Sequence, residues 1–443
     1  MYFTLSPRLT RWLAADVWKV RLTFWLGAVA VGSAAALFAM LASRAGLAFR
    51  DLLHVAPWAP LLLTPLGLML IVWITRRYFP GAEGSGIPQT IAMLETQNEH
   101  LRREVLSIRM ALAKIGLTLL ALLCGAPVGR EGPTVHVGAS ILYSIGRKVR
   151  FPREHLERGL ILAGSAAGLA AAFNTPLAGI VFAIEELSKS LEERTSGIIL
   201  TAVVLAGVTA IGILGNYSYF GMSHATLDLR GAAIGTLVCG VAGGILGGLY
   251  SHALLWGSRR LGRVRRSYPL RFSGICGLTI AALGLLSHGD AFGAGYNHAK
   301  GILNGHITSG LLFPLYKLAA SVASYWSGIP GGIFAPALAT GAGLGLTLTH
   351  LALPLPVSAA AILAMAGYFA GVVQAPITSF VIVMEMTSDH VIVLPLIATA
   401  FIGSTISRMI TPVPLYRALA KDFLAGRPMT EGPASPVDAG TTP

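Results

Sequence analysis

A chain of 443 residues that is 54% hydrophobic and only 12% charged lies outside the range of soluble domains, in which about a quarter of residues are charged. The excess of 33 Lys and Arg over 20 Asp and Glu, net +13, marks the cytoplasmic loops of a polytopic membrane protein. With no aromatic-interleaved basic patch, it does not describe a nucleic-acid surface. Cys124, Cys239 and Cys276 lie in or beside apolar runs without close spacing, and the eleven histidines, His136 among them, lack HExxH spacing, so neither a zinc site nor a disulfide framework is supported and no metal or other cofactor is expected.

The N-terminal stretch is basic and amphipathic (Arg8, Arg11, Lys19, Arg21). It leads, with no readable cleavable signal, into an apolar run at 24–43 that is long enough to cross a core of about 30 Å. Further apolar runs occur at 57–75, 110–128, 157–173, 198–215, 231–256, 273–287, 311–326, 332–352, 358–383 and 391–407. Several are cut by Gly or Pro, or are too short to cross alone at 1.5 Å per residue. The expectation is an all-α, multi-pass membrane fold of tilted and broken helices, because irregular backbone at membrane depth survives only where protein buries it or it lines a watery cavity. Gly240, Gly244 and Gly248 form a small-residue stripe suited to close helix packing.

Basic clusters at Arg76/Arg77, Arg102/Arg103, 147–153 and 259–271, with Arg417, Lys421 and Arg427 near the end, are placed in the cytoplasm together with both termini. The connection 216–229 has no basic residue and is the candidate outer loop. It divides residues 1–427, read as one transmembrane domain, into pseudo-repeats at about 20–216 and 229–425; residues 428–443, rich in Pro, Ala, Thr and Gly, are expected to be disordered.

Three Gly/Pro interruptions carry the chemistry. Gly129-Arg130-Glu131-Gly132-Pro133 puts an ionisable pair between two apolar runs, where each charge costs roughly 2.5–3.5 kcal/mol even on the lenient insertion scale. Its glycines admit backbone N–H groups to a ligand, and Pro133 suits the first turn of a helix whose free amides favour an anion. Alone, the pair could simply cap an interfacial helix. About 200 residues on, Gly328-Ile329-Pro330-Gly331-Gly332-Ile333-Phe334-Ala335-Pro336 interrupts the second half in the same way. Paired breaks in two halves point to an inverted-repeat transporter with its site at the midplane, where two helix N-termini hold an anion without the grip of a Lys or Arg. Gly84-Ser85-Gly86-Ile87-Pro88 reads in isolation as a turn before a helix, and beside the other two as the third wall of one site.

These three motifs, in this order and at these separations, resemble the CLC family of chloride channels and chloride/proton antiporters over about residues 20–425. The resemblance implies a homodimer in which each subunit has its own anion pathway, in a cell membrane such as the bacterial inner membrane, with lipid around it. It implies that Ser85 and the phenol of Tyr416, in Pro414-Leu415-Tyr416, donate to chloride. The backbone amides of Ile333 and Phe334, supported by Gly332, Ala335 and Pro336, would meet the anion, with Gly84, Gly86, Ile87, Pro88, Gly129, Arg130, Gly132 and Pro133 framing the other walls. Glu131 resembles the family's gating glutamate. Within the stretch 174–186, which ends in Glu185-Glu186, Glu186 matches the internal proton acceptor of antiporters; composition alone allows equally a solvated helix end facing Lys189. Glu385 resembles a structural helix end. Where some bacterial antiporters carry another acid after GSGIP, this chain has Gln89-Thr90-Ile91, which bears on the proton route. The length beyond the last helix leaves no room for the nucleotide-sensing domains of many eukaryotic relatives.

Chemistry completes the expectation. A deprotonated Glu131 is itself an anion of suitable size, so it competes with chloride, and protonation removes that attraction. Anion and proton exchange then need neither cofactor nor ATP. The rivals are a passive chloride channel on the same fold, disfavoured by Glu186; a fluoride/proton exchanger, disfavoured by Ser85 and Tyr416; and an intramembrane enzyme, for which there is no GxSxG elbow, HExxH or paired intramembrane aspartates.

Overall fold

Glycine and proline decide where the helices stop. The computed structural model describes residues 15–149, 154–187, 193–215, 219–221, 227–306, 310–351, 353–389 and 391–426. The expectations for Arg8 and Arg11, Lys189, most of the 216–229 connection and the tail after residue 426 fall outside them. The first half contains α1 (Ala15–Val55), α2 (Pro60–Tyr78), α3 (Ile87–Glu95), α4 (Glu99–Val105), α5 (Ile108–Leu123), α6 (Glu131–Val149), α7 (Glu154–Phe173), α8 (Pro176–Phe182) with a π-helical turn Ala183–Leu187, and α9 (Glu193–Leu214). The second contains α10 (Leu229–Arg260), α11 (Gly262–Ser267), α12 (Pro269–Leu286), α13 (Tyr296–Leu303), α14 (Phe313–Ser327), α15 (Phe334–His350), α16 (Val357–Val373), α17 (Pro376–Thr387), α18 (Val393–Ile410) and α19 (Leu415–Ala425).

Six described helical stretches, Trp18–Val55, Pro60–Tyr78, Glu99–Leu123, Leu229–Arg260, Pro269–Leu286 and Val393–Ile410, are long and apolar enough to cross a membrane. The others are shorter and broken, as the Gly/Pro pattern predicts. The run 358–383 is two helices rather than one. Gln374 adopts φ 59°, and Pro376 cannot continue α16 but fits the first turn of α17. The same device separates α7 from α8, where Asn174 has φ 57° ahead of Pro176, about 200 residues earlier.

Two further correspondences link the halves. Glu185 accepts the N–H groups of Ile377 (3.1 Å) and Thr378 (2.6 Å) at the start of α17. Glu385 accepts those of Leu177 (3.1 Å) and Ala178 (2.7 Å) at the start of α8. Each carboxylate thus satisfies orphan donors at the other half's helix N-terminus, which makes Glu385 the structural residue the sequence suggested and gives Glu185 the same task. Lys114 and Lys317, both buried, likewise pin one Gly-rich turn each. Lys114 Nζ donates to the carbonyls of Ala82 (2.8 Å), Gly84 (3.2 Å) and Glu83 (3.4 Å), and Lys317 Nζ to those of Gly293 (2.7 Å), Ala291 (3.0 Å) and Phe292 (3.0 Å). Lys114→Met leaves these carbonyls unpaired, at about 1–3 kcal/mol for each one that stays buried. The expected result is a clear drop in the thermal midpoint in detergent; an unchanged midpoint would remove the pinning role.

The glycine stripe packs as expected, and on two faces. A Cβ on Gly240, Gly244 or Gly248 would collide with or crowd α18 at Ile402, Gly403 and Ser407, while one on Gly243 or Gly247 would strike α16 at Gly367–Tyr368 and Gly371. One basic cluster behaves differently from a solvated loop. Arg102 is buried, donates from Nε to Met93 O at 3.0 Å at the end of α3, and lies 3.6 Å from Glu157. Its guanidinium closes the C-terminus of α3, a local task that charge counting does not reveal.

Candidate functional site

Backbone pairing ties the three Gly/Pro breaks to one another. Gly84 N–H donates to Ile329 O (3.0 Å) and Gly331 N–H to Gly84 O (3.1 Å), while Gly129 and Gly332 exchange N–H···O bonds of 2.7 Å in both directions. The first break is thereby fastened to the third, and the second to the third. Glycine is needed at the seams: Gly86 holds φ 96° at the N-cap of α3, and a Cβ on Gly132 would strike Ser85 Oγ.

From this knot α3, α6 and α15 depart, with α19 starting beside them at Pro414. The N-caps of α3, α15 and α19, at Gly86, Ile333 and Pro414, provide no side-chain cap, so backbone N–H groups of their first turns remain as donors for an anion. The helix α6 starts at Glu131 itself, two residues before the start suggested by Pro133, and α15 starts at Phe334 with Pro336 inside its first turn. Ser85, Ile333, Phe334 and Tyr416 are all buried. Ser85 Oγ and Tyr416 Oη neighbour each other, and neither has a hydrogen-bond partner among the described residues. Phe334 is the aromatic hub, 5.8 Å from the Tyr416 ring, 4.8 Å from Phe369 and stacked at 6.0 Å on Phe173. Donors on an apolar frame bind a halide weakly, which transport requires.

Glu131 is buried, and its carboxylate faces its own N–H and that of Ala335, at the N-termini of α6 and α15. A Cβ on Gly129 would strike Glu131 Oε2, so the carboxylate needs that glycine to lie there. Arg130 Nε is 3.9 Å from Glu131 Oε1, and Tyr219 Oη donates to the same oxygen at 3.2 Å. The carboxylate therefore occupies a position built from helix-terminal amides, where an anion would be held.

Two cavities approach from opposite ends of α12. One, of about 660 Å³, touches Arg130, Tyr219 and Gly289 just past the end of α12. The other, of about 630 Å³, touches Ser85 and Pro269 at its start, with Arg76, Arg259 and Arg265 around it. The 18 residues of α12 put these ends about 27 Å apart. Ser85 lines the second cavity, and Arg130 and Tyr219, the two side chains beside the Glu131 carboxylate, line the first.

Glu186 sits on the π-helical turn after α8, buried, so it is not a solvated helix end; burial is the difference between it and its neighbour Glu185, which caps α17. Tyr416 and Arg417 are its electrostatic neighbours, and its Oε1 has no hydrogen-bond partner among the described residues. Gln89 Nε2 donates to Glu83 O at 2.6 Å, and Ile91, at the position that the sequence resemblance sets against an acid, is part of the apolar core. Sequence reading missed Tyr219, Lys114 and Lys317. A lone cation inside an apolar run was the available signal for the lysines; Tyr219 lies in an irregular connection with no periodicity to expose it.

Comparison with known proteins agrees with this fold. The chain superposes on a slow cyanobacterial Cl−/H+ antiporter with a TM-score of 0.82 and 25% identity, covering 96% of this chain and 100% of that one. It superposes on a CLC-type fluoride/proton antiporter with a TM-score of 0.77 and 25% identity, over 91% and 98% of the two chains. A eukaryotic CLC transporter, at 21% identity and a TM-score of 0.72 over 90% of this chain and 74% of that one, shares the fold. The family model described as voltage gated chloride channel matches residues 67–408, a span that takes in all three fastened breaks, and on that match the chain belongs to the voltage gated chloride channel (CLC) family.

Proposed function

We propose that the protein is a secondary transporter that exchanges chloride for protons, with Glu131 as the gate. The observation that carries the reading is the Glu131 carboxylate lying against helix-terminal amides of both halves. Ionised, it excludes chloride from that position; protonated, it yields the position and carries a proton with it. Ser85, Tyr416 and the amides of Ile333 and Phe334 hold the anion on the side of the cavity lined by Arg76, Arg259, Arg265 and Arg266, which belong to the basic clusters that the positive-inside rule puts in the cytoplasm. Glu186 passes protons between that side and Glu131 by a route that avoids Ile91. Its burial, away from the solvated helix end that composition allowed, favours coupling over a passive channel. The Ser85 and Tyr416 hydroxyls favour chloride over fluoride as the cargo. Each subunit of a homodimer contains one such pathway, in a cell membrane with both termini cytoplasmic, and residues 1–427 act as one domain of two inverted repeats.

The test is direct. In liposomes holding a chloride gradient, with voltage clamped by a potassium ionophore, chloride movement is expected to drive protons uphill, read with an external pH electrode. Chloride flux with no proton movement would make the protein a channel on this fold, and uphill proton movement driven by fluoride alone would reassign the cargo.

A further inference from the structure

The outer cavity ends on a side chain that the exchange reading leaves without a task. We propose that Tyr219 is a positioning residue whose hydroxyl latches the ionised Glu131 carboxylate in the outer anion position and so sets the proton concentration at which the gate opens. This rests on the reading of Glu131 as the gate.

Three observations carry it. Tyr219 Oη donates to Glu131 Oε1 at 3.2 Å, the only side-chain hydrogen bond to that carboxylate among the described residues. The phenol is held in place. Its ring meets Phe173 at 5.7 Å, Phe220 at 5.3 Å and Tyr296 at 4.7 Å, all edge-on, and the Arg130 guanidinium lies over it at 5.8 Å. The adjoining Phe220 is buried, and its N–H is bonded to Met386 O at 3.0 Å. Finally, Tyr219 lines the cavity on the outer side alongside Arg130, so the residue that bonds the carboxylate also borders the space into which a released carboxylate would swing. A donor on the ionised form favours that form, and the outward swing must break the bond.

The charged or titratable groups on the elements around the gate are Arg130 beside it, His136 on α6, which is bonded to Val105 O, and Arg44 and Arg50 of α1, which line the cavity. The paired His298 and Asp290 (2.8 Å) lie by α13, and Tyr416 is on the inner side. Tyr219→Phe keeps all of them, together with the ring packing and the cation–π contact, and deletes one hydroxyl.

The experiment measures chloride flux from liposomes against external pH for the wild type, Tyr219→Phe, Glu131→Gln and the double variant. Without the latch the ionised carboxylate is less favoured, so Tyr219→Phe is expected to reach half-maximal flux at a pH higher by about one unit, and the double variant to match Glu131→Gln. A Tyr219→Phe profile superimposable on the wild type, while Glu131→Gln still abolishes the pH dependence, overturns the latch and leaves the gate standing. A Tyr219→Phe effect of equal size in the Glu131→Gln background also overturns it, because the hydroxyl would then act on something other than the carboxylate. If Glu131→Gln retains the wild-type pH dependence, the gate itself fails and the latch with it. Tyr219→Leu, which also removes the ring, should shift the profile in the same direction; a shift to lower pH overturns the proposal.

Discussion

Replacing Glu131 by glutamine is expected to leave chloride flux in place and to reduce proton movement to background. The amide is nearly isosteric, so the Gly129–Gly332 seam and the first turns of α6 and α15 should survive. It carries no charge, however, and cannot compete with chloride as an ion. In the wild type, falling pH is expected to protonate the carboxylate and release it, so that flux should rise as pH falls, by at most about tenfold per pH unit for one titrating group. The variant's flux should be nearly flat with pH over the same range, since nothing at the gate titrates. Parallel chloride and pH electrodes on one liposome suspension check both statements. Coupled proton movement that persists in Glu131→Gln would remove Glu131 from the mechanism.

How far the fold could be read from the sequence depended on the kind of interaction. Local signals were legible. Pro176 and Pro376, the glycines around Ser85, and the stripe Gly240–Gly248 act through their own backbone, and each means in the structure what its residue type implies. The three motifs also announced one site, because Gly and Pro in a membrane span need a reason. The pairings across about 200 residues were not legible. Glu185 and Glu385 read as two helix ends, and only the fold shows that each caps the other half's helix. Arg102 read as a cytoplasmic charge because a count of basic residues does not distinguish a side chain in water from one turned back onto Met93. The run 358–383 was continuous in hydropathy, which is blind to the left-handed Gln374 that ends α16.

The reciprocal caps bear on how the site keeps its shape. An anion position made of helix-terminal amides is only as exact as the helices that deliver them. Lys114 and Lys317 fix the turns ahead of α3 and α13, while Glu185 and Glu385 fix the starts of α17 and α8 across the halves. These four buried or half-buried side chains use their hydrogen bonds on carbonyls and amides of the frame. On the proposed reading the frame would be rigid while the anion is held by dipoles and hydroxyls, which would separate stability of the site from affinity for its cargo.

Glu186→Gln tests the other end of the proton route and should have a different signature. Chloride flux is expected to continue and to keep its rise toward low external pH, because Glu131 still titrates from the outer cavity. Uphill proton movement is expected to stop, because glutamine cannot accept and release a proton on the cytoplasmic side. Glu186 suits this task by position. It is buried, within electrostatic reach of Tyr416 and Arg417, while Glu185 next to it is committed to the α17 amides and cannot be released without uncapping that helix. Glu185→Gln should accordingly lower the thermal midpoint more than Glu186→Gln does. Proton pumping unchanged in Glu186→Gln would transfer the inner role elsewhere, and the next carboxylate to test would be Glu83, which lines the inner cavity beside Ser85 and directly precedes the break that holds it.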